Sequence, residues 1–467
     1  MKYLYKYPQQ RYPYEELENV NREKNVLDLE YELEDTGEIL LHINFVAGIF
    51  SQGYWDVFVT YAKGSPNDIL MEIEVTNRGE KTDTVHVLPT LWYRNTWTWG
   101  CTHEGCGLKP KLYMLGEDGA DEQISHCLIH GWHESLGDYT WAIDKSSDPA
   151  QVLFTENETN SLRLFGVENY TPYVKDAFHR FLINGEKSAV SPSNRGTKAC
   201  AHCEVTVAPH CSKIIRTRLW QNDSLAPDNS DIFGDIFTKI LMERRKEADG
   251  FYNNILSPSL TTDEKLVSRQ ALAGLLWTKQ FYHYIVQDWL GGDKNQPEPP
   301  ESRKSGRNAD WKHLYNRDVI SMPDKWEYPW YASWDLAFHA VALALVDMEF
   351  AKDQLVLFLR EWYMHPNGQI PAYEFALGDV NPPVHAWAVM NVYRGHAKQK
   401  SPDFVFLAKC FQKLSLNFTW WVNRKDPHGR NLFGGGFLGL DNIGVFDRSK
   451  PMPVPGQLEQ VRNCIPE

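Results

Sequence analysis

Two stretches decide the first half of the chain, Trp55-Asp56-Val57-Phe58-Val59-Thr60-Tyr61-Ala62 and Ile69-Leu70-Met71-Glu72-Ile73-Glu74-Val75-Thr76. Their β-branched and aromatic residues alternate with polar ones at a period of two, which divides the side chains between the two faces of an extended strand. Asn77-Arg78-Gly79-Glu80 turns the chain toward a third run, Thr84-Val85-His86-Val87-Leu88-Pro89-Thr90-Leu91. Similar spacing predicts further strands at 151–154, 161–166 and 201–207. No helical crossover separates these runs, so the region from about 27 to 218 is expected to be an antiparallel β-sandwich and not a parallel sheet.

Beyond Pro227 the period becomes helical. A linker helix is expected over 231–254. Thr262-Asp263-Glu264 should cap a long helix in which Leu266, Leu272, Leu275, Leu276, Phe281 and Tyr282 recur at helical spacing. Later helices are expected at 332–351, 352–363, 384–397 and 403–422. Long loops at 291–331, 365–383 and 423–456 join them, the organisation of a helical toroid with a loop-built site on one face. No repeat at a fixed period is visible.

Composition narrows the function. The 467 residues carry 48 Lys+Arg against 61 Asp+Glu, a net charge of −13 that argues against a phosphate-neutralising nucleic-acid or lipid binder. The 17 Trp, 22 Tyr and 22 Phe suit either a large core or flat apolar platforms for sugar rings. There is no apolar run of signal-peptide or membrane-spanning length, so the default expectation is a cytoplasmic protein. Eight cysteines are too few and too irregular for a disulfide framework. The glycosylation patterns at Asn157, Asn169, Asn222 and Asn417 read as chance without a signal.

The loop 320–339 crowds aromatics around Asp335 at a loop-to-helix junction, in Trp326-Glu327-Tyr328-Pro329-Trp330-Tyr331-Ala332-Ser333-Trp334-Asp335. Apolar walls there can raise a carboxyl group into general-acid range while rings hold a sugar. Asp335 is therefore the candidate acid, with Trp330 and Trp334 as sugar platforms; an aspartate at this place also fits ordinary helix N-terminal stabilisation. His365-Pro366-Asn367-Gly368-Gln369-Ile370-Pro371-Ala372-Tyr373-Glu374 adds Asn367, Gln369 and Glu374, whose amides and carboxylate suit vicinal hydroxyls. Asn381-Pro382-Pro383-Val384-His385-Ala386-Trp387 adds His385 and Trp387. The glycine-rich run 434–444 adds Asp441 and Asn442; it lacks the strand and helix of a dinucleotide cradle, so no nucleotide cofactor is expected. Cys200-Ala201-His202-Cys203, with His210 and Cys211, has no second well-spaced ligand pair and reads as ordinary buried thiols, so no metal is expected.

Several of these strings, YKYPQQRYPYEEL, NRGEKTDTVHVLPTLWYRNTWTWG, NADWKHLYNRDVISMPDKWEYPWYASWDLAFH, FLREWYMHPNGQIPAYEFALGDVNPPVHAWA and NFTWWVNRKD, resemble the glycoside hydrolase family 63-like group, which includes mannosyl-oligosaccharide glucosidases and mannosylglycerate-hydrolase-like enzymes. The resemblance covers most of the chain. It implies an α+β multidomain architecture, an N-terminal antiparallel β-sandwich followed by an (α/α)6 toroid. It also implies inverting hydrolysis of α-glycosidic bonds in an oligosaccharide or small glycoside by two carboxyl groups, without a cofactor. The general acid of that group, an aspartate after tryptophan, matches Trp334-Asp335. Inversion needs a second carboxylate roughly 6.5–9.5 Å away, leaving room for water, and the family places it in a late helix.

The expected division is a β-sandwich over 1–225, incomplete at its N-terminus, a helical linker over 226–260, and the first part of a toroid over 261–467. Twelve helices make a toroid and five are legible after the linker, so the catalytic base is expected to lie beyond this chain, with apolar helix stripes left facing absent partners. The apolar insertion 38–48 interrupts the family pattern. Val461-Arg462 is compatible with a splice-donor codon pair, so residues 461–467 are expected to be translated intron. A lost N-terminus could carry a signal, which keeps the endoplasmic reticulum as the alternative compartment. Substrates from glucosyl-capped N-glycans to glucosylglycerate, mannosylglycerate and small α-glucosides stay open, as does a sugar-binding or non-functional product in place of an enzyme.

Overall fold

A computed structural model describes residues 1–9, 53–101, 103, 105–116, 126–145, 151–222, 227, 231–306, 309, 311–322, 332–372, 381–399, 401–424, 429–430, 432–433 and 462–463. The chain divides into two units, residues 1–248 and 249–467.

The first unit is built on an eight-stranded antiparallel sheet. Its strands are β1 (Lys2–Pro8), β2 (Tyr54–Ser65), β3 (Asp68–Asn77), β6 (Lys111–Met114), β7 (His126–His133), β8 (Gly137–Asp144), β10 (Arg195–Gly196) and β12 (Ser212–Gln221), in the order β1-β2-β3-β12-β8-β7-β6-β10. A four-stranded sheet joins β4 (Asp83–Val87), β5 (Thr90–Trp92), β9 (Gln151–Thr155) and β11 (Lys198–Val207). The two sheets share a core of Trp55, Ile73, Val75, Leu112, Ile129, Trp141, Ile143, Phe154, Val205 and Ile215, while β1 at the sheet edge is exposed. The third expected strand is broken at Leu88-Pro89, because proline has no N–H for the ladder.

The run 161–166 is not a strand. It forms the short helix α1 (Ser161–Phe165), because Asn160 accepts a hydrogen bond from the Arg163 N–H at 3.1 Å and Gly166 closes the helix at φ 69°. Helix α2 (Ala177–Ile183) also interrupts the β region. Cys200 and Cys203 are buried thiols, and burial pushes Cys200 up to about 12. Asn157 is buried with its amide donating to the Tyr93 carbonyl, so its glycosylation pattern is inaccessible in the fold. Helix α3 (Asp235–Ile255) crosses the boundary, and its Phe237 and Leu241 pack on Ala62 and Leu70 of the large sheet.

The second unit opens with α4 (Thr262–Trp277), capped one residue earlier than expected, by Thr261 in a reciprocal box with Glu264. The helix then stops, and Phe281 and Tyr282 belong instead to β13 (Lys279–Ile285), which pairs with β14 (Tyr315–Ser321) inside the stretch expected to be a long loop. The segment Lys279–Ile285 is rich in aromatics that gain more from a pleated surface than from a helix. After the short α5 (Val286–Gly291) come α6 (Ser333–Leu343), α7 (Met348–Leu357), α8 (His385–Gln399) and α9 (Phe404–Arg424). The break expected near residue 351 falls at 344–347, where the Asp347 carboxylate accepts the Phe350 N–H at 3.2 Å and starts a new helix.

Ala337, Ala340, Leu343, Leu355, Ala388, Val392, Phe406 and Cys410 form the core among these four helices. Helix α9 is apolar on a second face too: Phe404, Phe411 and Phe418, spaced by seven, are 68%, 70% and 63% exposed. Among the described residues no helix is long and apolar enough to cross a membrane, and no group of three or more His, Cys, Asp or Glu side chains stands where it could hold a metal ion.

Candidate active site

The Trp334-Asp335 pair sits in the first turn of α6, whose start is extended at Ala332 and has no side-chain cap. Asp335 is therefore held at a positive helix end, half-buried. A hydrogen-bond chain orients this helix against the hairpin. The Thr278 hydroxyl donates to the Leu275 carbonyl at 2.6 Å, so Ser321 Oγ donates to Thr278 at 2.7 Å, and His339 Nδ1 donates to Ser321 at 3.1 Å. Burial lowers the pKa of His339, four residues after Asp335, and keeps it in this neutral form. Gln354 adds a clamp, accepting from the Ser321 N–H and donating to the Val319 carbonyl.

A cleft opens between the N-terminal ends of α6 and α8 and the C-terminal half of α9. Its lining comprises Ser333, Trp334, Ile370, Asn381, Pro382, Pro383, His385, Asn417, Trp420 and Trp421. Its volume is about 20 Å³, room for about one water-sized group. Asn381 Nδ2 donates to the Ala372 carbonyl at 3.0 Å and to Ser333 Oγ at 3.3 Å, tying the segment before α8 to the start of α6. Asn417 Nδ2 donates to the Gly368 carbonyl at 2.8 Å, tying the second loop to α9. Gly368 has φ +94°, and an added Cβ would lie 2.4 Å from the Leu416 carbonyl oxygen, so only glycine allows this approach. The Trp420 and Trp421 rings stand nearly perpendicular, 5.3 Å apart.

His385 is the first residue of α8 and is buried. Its Nε2 lies 2.9 Å from the Leu355 carbonyl, which can only accept, so Nε2 carries the proton. Burial drives its pKa down to about 4, and the ring is neutral near pH 7. Nδ1 has no hydrogen-bond partner among the described residues.

Of the residues singled out in the sequence, Trp334 and His385 share this cleft. Gln369 is buried beside it, and its backbone N–H is held by the Asn367 side chain at 2.9 Å. Asn367 thus serves as an exposed turn residue, and its carboxamide is not among the lining groups. Trp387 is 47% exposed and packs on Phe338 with centroids 5.4 Å apart, outside the lining. Asp335 stands beside the lining residues Ser333 and Trp334 without lining the cleft itself. Trp330, Glu374, Asp441 and Asn442 lie outside the described residues, as do the insertion 38–48 and the glycine-rich run 434–444. Sequence reasoning missed Ser333, Asn381, Asn417, Trp420 and Trp421 as lining residues. The polar Asn417 on the buried stripe of α9, 7% exposed, was the available signal.

A larger groove of about 280 Å³ runs between β14 and α7 along Asp318, Val319, Phe350, Asp353, Gln354 and Arg360. Its central polar groups are already engaged: Asp318 accepts the Tyr363 hydroxyl at 2.9 Å, and both ends of Gln354 are bonded. The smaller cleft is the better candidate because Trp334, neighbour of Asp335, lines it together with two further indoles.

Residues 328–435 match the profile of the mannosylglycerate hydrolase MGH1-like glycoside hydrolase domain. The chain is 43% identical over 488 aligned residues to the uncharacterized protein YMR196W of Saccharomyces cerevisiae, a match that covers 98% of this chain and 44% of that protein. It thus spans less than half the length of this relative. Two solved structures show weak likeness, each with a TM-score of 0.20. One is a polysaccharide lyase (9% identity, 79% of this chain and 57% of that one), and the other is described as a kojibiose phosphorylase from human microbiome (8% identity, 78% and 43%). TM-scores this low carry no fold argument. The profile match supports a glycoside hydrolase domain over residues 328–435, the segment that contains Asp335 and all the described residues lining the cleft.

Proposed function

We propose that this chain carries the acid-bearing part of an inverting α-glycosidase, with Asp335 as general acid and the cleft beside it as a sugar subsite. The observation that carries the reading is the placement of Trp334-Asp335 at a helix start, inside the matched glycoside hydrolase segment and beside a cleft walled by three indoles. In this reading Asp335 protonates the departing glycosidic oxygen while a second carboxylate activates water on the opposite face of the ring. Trp330, Trp334, Glu374, His385, Trp387, Asp441 and Asn442 are proposed sugar contacts, Gln369 and Asn367 shape the loop that carries them, and the helices α4 to α9 belong to an (α/α)6 toroid. Terminal α-glucosides of oligosaccharides or small aglycones are the proposed substrates.

The test is hydrolysis of a panel of neutral α-glucosides, α-glucosylglycerate and α-mannosylglycerate, read by proton NMR. Release of the β-anomer first, with turnover reduced by about 10³-fold or more in Asp335→Asn, is the expected result. Turnover unaffected by this substitution refutes the assignment of the acid. A second reading, sugar binding without turnover, is favoured by one observation: no carboxylate is among the described residues lining the cleft. Glucoside binding with no product release would select it.

A further inference from the structure

We propose that His86 and His202 form a separate ligand site on the first unit, which binds one copper(II)- or nickel(II)-class ion through two imidazole nitrogens at a right angle, with water completing the shell. Strand alternation places the pair. Along β11, Cys203 and Val205 turn into the core, and His202 and Glu204 turn to the opposite face. The register sets Glu204 opposite His86 of β4, so His86 and His202 are diagonal neighbours on that face. His86 Nδ1 lies 2.9 Å from His202 Nε2. His86 is exposed and His202 half-buried, so the pair is open to solvent ions.

A neutral imidazole carries one proton, so in this contact one ring donates and the other accepts. Neither outer nitrogen, Nε2 of His86 or Nδ1 of His202, has a hydrogen-bond partner among the described residues, so nothing there locks the donor ring in one tautomer. When its proton moves through water to the outer nitrogen, both facing nitrogens present lone pairs, and a cation takes the place of the shared proton with no net proton release. Burial, and then the charge of His86, lower the pKa of His202, which favours its neutral, ligating form. Two bonds of about 2.05 Å to nitrogens 2.9 Å apart enclose an angle of about 90°. This is the cis angle of a square-planar or tetragonal ion, whereas tetrahedral zinc(II) would hold the nitrogens about 3.3 Å apart. The rings, tilted by 35° with centroids 5.1 Å apart, converge on such an ion by rotation about χ2, a broad torsion in histidine. No third His, Cys, Asp or Glu completes the set among the described residues, which leaves the other positions to water. Since β4 is an edge strand held by β11, an ion bridging the two would clasp it to its sheet.

The test titrates the full chain, without a histidine tag, and its His86→Gln and His202→Gln variants with copper(II), nickel(II) and zinc(II) chlorides. The first equivalent of copper(II) should bind the wild type at least about tenfold more tightly than either variant, with a tetragonal electron paramagnetic resonance spectrum split by two nitrogens. It should also raise the melting temperature of the wild type and leave those of the variants in place. Nickel(II) should bind the pair more tightly than zinc(II). Should a variant fold poorly, hydrogen exchange of the wild type decides: copper(II) should slow exchange in β4 and leave β3, in the other sheet, unchanged. Equal copper(II) affinity in the wild type and both variants, a spectrum with one nitrogen, zinc(II) binding at least as tight as that of nickel(II), or unslowed exchange in β4 each overturns the proposal. None of these outcomes bears on the sugar site, because neither histidine lines its cleft.

Discussion

Acid should destabilise the second unit through one imidazole. His385 is buried, and its pKa falls from the ordinary 6.5 to about 4. Between these values the unfolded chain binds a proton that the folded chain rejects, so stability is retained above about pH 6.5 and lost as the pH falls toward 4. The linkage relation gives a negligible penalty at pH 7 and about 2 kcal/mol at pH 5. Below about pH 4 both states are protonated, and the loss levels off near 3 kcal/mol. Other histidines lowered by burial, His126, His133, His202 and His339, add to the acid sensitivity of the whole chain. The informative quantity is therefore the difference between the wild type and His385→Gln, which lacks this titration. Peptide-resolved hydrogen exchange in urea, read on α8 at pH 7 and pH 5, should show the wild type losing about 2 kcal/mol more than the variant. Equal losses in the two proteins would refute the neutral, buried imidazole and, with it, the lone pair assigned to Nδ1.

Two further outcomes follow from the same packing. Gly368→Ala forces a left-handed alanine into the Leu416 carbonyl and should cost about 2 kcal/mol or more, seen as a lowered melting temperature together with a change in Trp420 and Trp421 emission. Asp403→Ala removes the cap of α9, where Asp403 accepts the Phe406 N–H at 3.0 Å, and strips the buried Lys352 of its 2.8 Å partner. Burial works against the Lys352 ammonium, but Asp403 and Glu349 outweigh it and raise its pKa, while Lys352 holds the Asp403 carboxyl below its usual range. The single substitution should cost about 3 kcal/mol by denaturant unfolding, and adding Lys352→Met should recover part of that loss.

Much of this arrangement is legible in the sequence because it depends on local periodicity. The strands at β2 and β3 alternate with period two, and α8 and α9 repeat at helical spacing, so residues close in sequence suffice to define them. Trp334-Asp335 stands out for the same reason, as a carboxylate at a helix start among aromatics. The tertiary structure decided the rest. Phe281 and Tyr282 fit the spacing of a continued α4, yet their strand exists only because Tyr315–Ser321, more than thirty residues later, pairs with it. The run 161–166 has strand composition but is taken by an Asn160 cap and a left-handed Gly166. Asn367 is a plausible sugar contact in one dimension and a turn residue in three. His385 became informative only when folding placed the Leu355 carbonyl against one ring nitrogen and buried the other. Periodicity records which face of an element will be buried, whereas the partner of a buried polar atom is set by segments distant in sequence, and their approach is written in no single stretch of the chain.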